Sequence, residues 1–207
     1  MADVSGSDKL IYRENHFYLR KENVMDVFEA IQERRSIRAY QDTPVPREKL
    51  EKILEAARLA PSARNTEPWH FIAVTDGEKR KILSKGRYAK FCAEAPLVIV
   101  ACGDKKASPD WYAIDVALAV ENMILTATNE GLSTCCVGSF EEKEVKETLK
   151  VPDNFEVLLL LAVGYSREKL DLTSKLLHLA RPRKPLSEVA SEETFGKNLK
   201  PQKISEP

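Results

Sequence analysis

The sequence predicts a single domain in which helices interleave with a small number of strands, and three observations carry that expectation. Two runs, LVIVAC at 97–102 and VLLLLAV at 157–163, are apolar at every position. A strand so uniform cannot be half exposed, so each should lie centrally in a sheet with both faces covered. The third is the stretch from Asp110 to about Glu130, the longest helical pattern in the chain and about 30 Å long at helical rise. Its apolar residues, including Ile114, Val116, Leu118, Val120, Met123 and Leu125, cover nearly every side. A helix apolar all round must be buried, and a chain of 207 residues has little room to bury one alone. A subunit interface is therefore expected.

The remaining elements follow in order. Residues 1–23 are polar with a few aromatics, and read as an N-terminal arm outside the core, with Ile11, Tyr12, Phe17 and Tyr18 as candidate anchors. From Val24, the apolar Val27, Phe28 and Ile31 recur at helical spacing. Pro46 fits the first turn of a second helix, whose stripe is Leu50, Ile53, Leu54, Ala57 and Ala60. Pro61 ends that helix, residues 62–68 form a loop, and 69–75 read as a strand. Asp76-Gly77 turns the chain into a helix over 78–84, followed by a basic connection to Lys90. Ser108-Pro109 is a capping pair for the long helix, with Pro109 at its first position, and Gly131 suits a left-handed cap at its end. A short strand at 133–137, a tight connection at Gly138-Ser139 and a charged helix over 141–150 come next. Residues 166–180 read as partly helical, and 191–207 as a polar tail that is a candidate for wrapping a partner. The main domain is thus expected over 24–190, without internal repeats or a second domain.

Composition narrows the function. Hydrophobic residues at 43% and charged residues at 31% fit a soluble globular protein. The formal net charge of zero gives no bulk attraction for nucleic acid or an anionic membrane, so local basic clusters carry more meaning. No apolar run reaches membrane-spanning length, and residues 1–8 show no apolar core of a secretory signal, so a cytoplasmic address is expected. Cys92, Cys102, Cys135 and Cys136 lack zinc-ligand spacing, and His16, His70 and His178 are scattered, so no metal site is expected and the thiols should be buried and reduced.

Two basic clusters stand out, since neither a GxGxxG turn nor a Walker loop is present to bind a nucleotide. The first is Arg34, Arg35, Ser36 and Arg38. If the chain leaves the preceding helix extended, Arg34, Ser36 and Arg38 share one side, and forked donors beside a hydroxyl suit a phosphate monoester. The bland alternative is that Arg34 and Arg35 are solvated cations at a helix C-terminus. The second cluster is Arg181, Arg183 and Lys184, stiffened by interleaved prolines, which on its residues alone reads as a solvated basic linker sooner than as a phosphate site. In the 61–68 loop, Asn65 has the donor and acceptor to read a ring edge, or simply to close an Asx turn. Trp69 and His70 read as structural.

Taken in order, RRSIRAY at 34–40, AARLAPSARNTEPWHF at 56–71, GLSTCCVGSF at 131–140, LLLLAVGY at 158–165 and RPRKPLSEV at 181–189 resemble the nitroreductase family of FMN-dependent oxidoreductases. The resemblance implies an α+β fold with a central sheet of mixed strand directions flanked by helices, and the long helix at the centre of an intertwined homodimer. It implies FMN as cofactor and NADH or NADPH as reductant. Hydride would pass in ping-pong fashion to a nitroaromatic, a quinone or a similar conjugated small molecule. An FMN-binding protein without nicotinamide turnover, or a specialised relative acting on a halogenated aromatic, an enone or flavin itself, stays open. The same resemblance brings Arg34, Arg35, Ser36 and Arg38 together with Arg181 and Arg183 at the FMN phosphate. It sets Asn65 against the flavin edge, with Pro61, Ser62 and Ala63 packing nearby from the partner subunit. It brings the backbone of Val137 and Gly138 to the reactive edge of the ring, where glycine permits close approach. No catalytic side chain is required. Glu67 stands where relatives often carry glutamine, which puts a carboxylate near the site. Cys135 and Cys136 precede the ring contact; a redox role is open, and buried strand thiols are the expectation.

Overall fold

The computed structural model describes residues 25–167 and 183–199, with the backbone alone of 11–13 and 16–18. The chain divides into two compact units, Met1–Leu170 and Asp171–Pro207. In the first, β1 (Ile11–Arg13) and β2 (His16–Tyr18) form a small antiparallel hairpin, where only an irregular arm was expected. The second unit holds a four-residue helix, α6 (Leu186–Val189), with Leu186, Val189 and Phe195 exposed.

The core of the first unit is a four-stranded sheet in the order β3-β4-β6-β5, formed by β3 (Trp69–Val74), β4 (Leu97–Asp104), β5 (Ser133–Val137) and β6 (Phe155–Gly164). Both fully apolar runs are the central strands, as their uniformity demands, and Ile99 pairs with Leu161 at the middle of the sheet. Alternation divides their side chains between two layers. Leu97, Ile99 and Ala101, with Leu161 and Val163, join α2 (Arg47–Arg58) and α4 (Tyr112–Asn129) through Ile53, Val116 and Met123. Val98, Val100 and Cys102, with Leu160 and Ala162, face Leu83 at the end of α3 (Gly77–Leu83) and Val145 of α5 (Glu142–Leu149). The sheet is therefore sandwiched between helical layers, an α+β arrangement.

Strand direction departs from expectation. All three pairings among the four strands are antiparallel. Among the described residues the parallel component is one bridge, Ser36 to Thr134, and Tyr40 farther along the same segment pairs antiparallel with Ser166.

The long helix also differs in detail. It begins at Tyr112, not at Pro109; Ser108 instead closes a turn in which its carbonyl accepts from the Trp111 and Tyr112 N–H groups. It ends as expected on Gly131 (φ 72°), where Leu132 N–H reaches the Ala127 carbonyl (2.8 Å) and Gly131 N–H that of Thr128 (3.0 Å). Within the chain α4 is buried on one face only. Asp115, Val116, Ala119, Val120, Met123, Ile124 and Ala127 point inward. Ile114 and Leu118, 52% and 45% exposed, form an apolar outer face. The same holds for α1 (Val27–Glu33), which starts on a capping box between Asp26 and Glu29 and buries only Ala30. Val27, Phe28 and Ile31 of its apolar stripe lie open to solvent.

Candidate active site

Helix α1 delivers the first basic cluster. Its last residue is Glu33, and Arg34 (φ −54°, ψ 124°) turns the chain into extended backbone. Ile37 N–H then donates to the Thr134 carbonyl (3.0 Å), docking the segment along the outer edge of β5. Ile37 packs toward the core, so by alternation its immediate neighbours Ser36 and Arg38 lie on the other side; both are half-buried, as is Arg34. Arg35 does not join them. Its guanidinium folds back onto the Gln32 and Arg34 carbonyls and caps the end of α1, the role the bland reading gave it. Past the cluster, the Tyr40 hydroxyl donates to the Ile37 carbonyl (2.6 Å), and Gln41 N–H to that of Tyr165 (2.9 Å), so the segment is held at both ends.

Beside this segment lies an open cleft of about 350 Å³ lined by Arg38, Tyr88, Phe91, Cys136, Val137, Gly138 and Ser139. Three predicted residues, Arg38, Val137 and Gly138, thus meet in one place. The Arg38 guanidinium stands 6.0 Å from the Phe91 ring centroid, a cation–π distance. Gly138 is exposed, and a Cβ added there would meet nothing within 4 Å. The opposite wall is built by close backbone packing: the Tyr88 N–H donates to Ser139 Oγ (3.1 Å), and Gly86 lies directly on the Ser139 carbonyl. Of the other lining residues, Tyr88 belongs to the basic connection before Lys90 and Ser139 to the tight connection after β5, while Phe91 escaped the sequence reading.

The adjacent cysteines part company in this strand. Successive residues of β5 face opposite ways, so Cys135 is buried while Cys136 is exposed in the cleft. The expectation of two buried thiols fails for Cys136, and the opposed directions leave a vicinal disulfide without a geometric basis. Cys136 keeps solvent-accessible surface, yet the protein around it thins its hydration. That desolvation first, then the neighbouring Cys135 and Glu121, pushes its thiol up to about 11, with the Arg34 charge pulling the other way. Arg34 is thereby placed within electrostatic reach of the cleft. Cys92, wholly buried, is pushed up to about 12 by desolvation and then by Cys135.

The second predicted loop lies elsewhere. Residues 61–68 precede β3, at the sheet edge opposite β5. Three strand spacings of ~4.8 Å separate the two edges by about 14 Å before any displacement along the strands. The loop is strained: Arg64, Asn65 and Glu67 all have positive φ (55°, 54° and 46°), uncommon for residues with a Cβ. Ser62 Oγ accepts the Glu67 N–H (3.0 Å), Thr66 Oγ1 donates to the Ala63 carbonyl (3.0 Å), and Ala63 N–H donates to the buried Asp115 carboxylate (3.1 Å). Ser62 and Ala63 thus spend polar groups on the loop itself. Pro61 and Asn65 are exposed, and Asn65 Nδ2 makes one long contact with Glu67 Oε1 (3.4 Å). Asp115 was missed too, although a lone acid inside the run AIDVALAV was a visible signal.

Arg181 lies outside the described residues, and Arg183 belongs to the second unit, where it is exposed. No group of His, Cys, Asp and Glu among the described residues could hold a metal ion. No described helix is long and apolar enough to cross a membrane.

The motifs fall on one fold in one order, and a family-level comparison decides the matter. The family model described as "Nitroreductase family" matches residues 31–86 and 81–165, from α1 through the end of β6. The chain belongs to the nitroreductase family. A relative in Archaeoglobus fulgidus, whose name joins NADH dehydrogenase with NAD(P)H nitroreductase, is 38% identical over 146 residues, covering 67% of this nitroreductase-family chain and 84% of that one. An FMN-dependent nitroreductase of Clostridium difficile R20291 superposes with a TM-score of 0.64 at 37% identity, covering 68% and 87% of the two chains. A nitroreductase family protein of Clostridium difficile 630 reaches a TM-score of 0.70 at 34% identity, covering 80% and 97%. A Bacillus subtilis FMN reductase [NAD(P)H] is 27% identical over 193 residues, 82% of this chain and 74% of that one. The matched region contains the arginine segment, the strained loop and the cleft alike.

Proposed function

We propose that this protein is a homodimeric, FMN-dependent oxidoreductase that uses NADH or NADPH to reduce a small conjugated acceptor such as a nitroaromatic or a quinone. Family membership and relatives named as NAD(P)H nitroreductase and FMN reductase support the enzyme class and the cofactor pair. The observation that carries the reading within this chain is the cleft at the β5 edge. There the Arg38 guanidinium and an open glycine line one space, beside the extended segment that carries Arg34 and Ser36 along the β5 edge.

These residues suit a planar ligand with a dianionic tail. Arg38 and Arg34, with Ser36 between them, offer charge-assisted donors to the phosphate, each bond contributing roughly 1.5–3 kcal/mol. Arg35, committed to capping α1, contributes charge at longer range. Arg183 stays a candidate phosphate ligand on the strength of its motif. Gly138 leaves room for a ring to lie on the backbone at Val137 and Gly138. The cofactor's chemistry when bound is two-electron storage, hydride in from a reduced nicotinamide and out to the acceptor. The chain's part is to bind, orient and exclude water. Tyr88, in the cleft lining, and Trp111, at the start of α4, are exposed aromatics suited to stacking the acceptor.

Two independent features support the proposed dimer. The cleft and Asn65 lie at opposite edges of one sheet, so a single chain cannot bring them to one ligand, whereas a two-fold pair can. Apolar surface is also left open where such a pair would meet: Val27, Phe28 and Ile31 of α1, Leu59, and Ile114 and Leu118 of α4. Asn65 of a second copy then reads the flavin edge, with Pro61, Ser62 and Ala63 shaping that wall.

The deciding experiment is the visible absorption spectrum of the purified protein, recorded before and after anaerobic addition of NADH or NADPH. A bound flavin spectrum that bleaches is expected. Flavin that stays oxidised would favour an FMN-binding protein without nicotinamide turnover. A protein that neither carries nor takes up flavin would overturn the reading.

A further inference from the structure

We infer that Asp115 is a positioning residue, whose carboxylate holds the 61–68 loop in the shape that presents Asn65 to the cleft of a second copy. The inference rests on the role proposed above for Asn65. It begins from a misfit. Asp115 is 3% exposed on a helix face that is otherwise apolar, with Val116, Ala119 and Val120 around it. A carboxylate removed from water costs stability unless its oxygens are hydrogen-bonded, and this one has two partners. Oδ1 accepts the Ala63 N–H at 3.1 Å, and Oδ2 lies 3.5 Å from the Oγ of Ser108, itself fully buried.

The loop it holds has an unusual backbone. Arg64, Asn65 and Glu67 occupy the left-handed region with their Cβ atoms intact. Such conformations persist only where the surroundings over-determine them. Most of the loop's bonds are internal: Asn65 N–H to the Ser62 carbonyl, Glu67 N–H to Ser62 Oγ, and Thr66 Oγ1 to the Ala63 carbonyl. These set a local shape without fixing where it points. Among the described residues, two bonds tie the loop to the body. At its end, Asp104 N–H donates to the Pro68 carbonyl (2.7 Å), extending the β3–β4 pairing. At its start, the tie is Ala63 to Asp115. The left-handed Arg64 and Asn65 follow at once, so the angle at which Asn65 leaves the surface is set from Asp115. A bland alternative exists, because an acid in the first turn of α4 also favours the helix dipole. That role would stabilise the whole fold and have no particular claim on the loop.

Amide hydrogen exchange on full-length, cofactor-free protein separates the two. In Asp115→Leu, exchange at residues 63–67 should speed by about tenfold or more, with β4 and β6 amides unchanged. Asp115→Asn keeps a neutral acceptor and should speed the same amides only about threefold; it also serves if the leucine variant does not fold. In the loaded protein, FMN affinity and the visible flavin spectrum are compared for Asp115→Asn, Asn65→Ala and the double variant. If Asp115 acts through Asn65, the double variant binds no worse than Asn65→Ala alone. Unchanged exchange at 63–67, or losses that simply add, would overturn the inference. Faster exchange with an Asn65→Ala variant whose FMN affinity matches wild type would instead sink the role of Asn65 and the functional half of the inference. Absence of any bound flavin would count against the proposed function, while the exchange result still decides whether Asp115 holds the loop.

Discussion

Replacing Gly86 by alanine should prise open the wall of the cleft. A Cβ at that position would lie 1.6 Å from the Ser139 carbonyl oxygen, 2.5 Å from its carbon and 2.8 Å from Phe140 Cα. Non-bonded carbon contacts settle near ~3.5 Å, so one backbone must retreat by about 1.5–2 Å. Neither can do so cheaply. Ser139 follows directly on β5 and accepts the Tyr88 N–H through its hydroxyl, while Gly86 lies just past the end of α3. Overpacking against backbone typically costs about 1–3 kcal/mol, and for a chain of this size each kcal/mol lowers Tm by roughly 2–4 °C. A loss of about 2–12 °C is therefore expected, measured by thermal denaturation, with weaker flavin binding in a fluorescence titration. Gly138→Ala is the matched control, because nothing lies within 4 Å of its added methyl. It should leave Tm unchanged and weaken flavin binding alone. If Gly86→Ala melts within about 1 °C of wild type and binds flavin equally well, the packing of the cleft wall is not as described.

Removing the Arg38 guanidinium takes away its contact with Phe91 and, on the proposed function, one charge-assisted bond to the FMN phosphate. Arg38→Ala should weaken FMN about 10- to 150-fold in equilibrium titration, Arg38→Lys less, with little change in Tm. The Cys136 thiol, pushed up to about 11, should be almost wholly protonated at pH 8, with roughly a thousandth as thiolate. In cofactor-free protein its alkylation by iodoacetamide, followed by mass spectrometry, should rise about tenfold per pH unit toward pH 11. A rate that levels off by pH 9 would contradict the desolvation of that site. A charge on the open apolar face, as in Phe28→Glu or Leu118→Arg, should shift the protein toward monomer in sedimentation velocity and release flavin in the same step.

Much of this architecture could be read from residue patterns because burial leaves a direct mark on composition. The strands at 97–102 and 157–163 carry apolar side chains on both faces because helices cover both, and no other environment tolerates that pattern. Gly131 was equally legible, since its left-handed backbone ends a helix in a way few residues allow. Boundaries at α4 were not, because Ser108-Pro109 is chemically a good cap and only tertiary structure reveals that Ser108 serves a separate turn and Asp115. Within the arginine cluster, alternation separated Ser36 and Arg38 from Ile37, but nothing local distinguished Arg35, whose capping of α1 depends on where the chain turns. The cleft's aromatic wall was invisible because it arises from two loops distant in sequence meeting at Gly86 and Ser139.

The division of the chemistry between opposite edges of one sheet has a genetic corollary. In the proposed homodimer, a subunit defective at Arg38 and another defective at Asn65 carry their lesions in different halves of the assembly. Pairing them gathers both defects into one catalytic centre and leaves its twin untouched. A culture or a refolding mixture containing two inactive forms in equal amounts would then regain function, with random pairing restoring roughly a quarter of all centres. On the proposed dimer, inheritance of activity is a property of the couple and not of either chain.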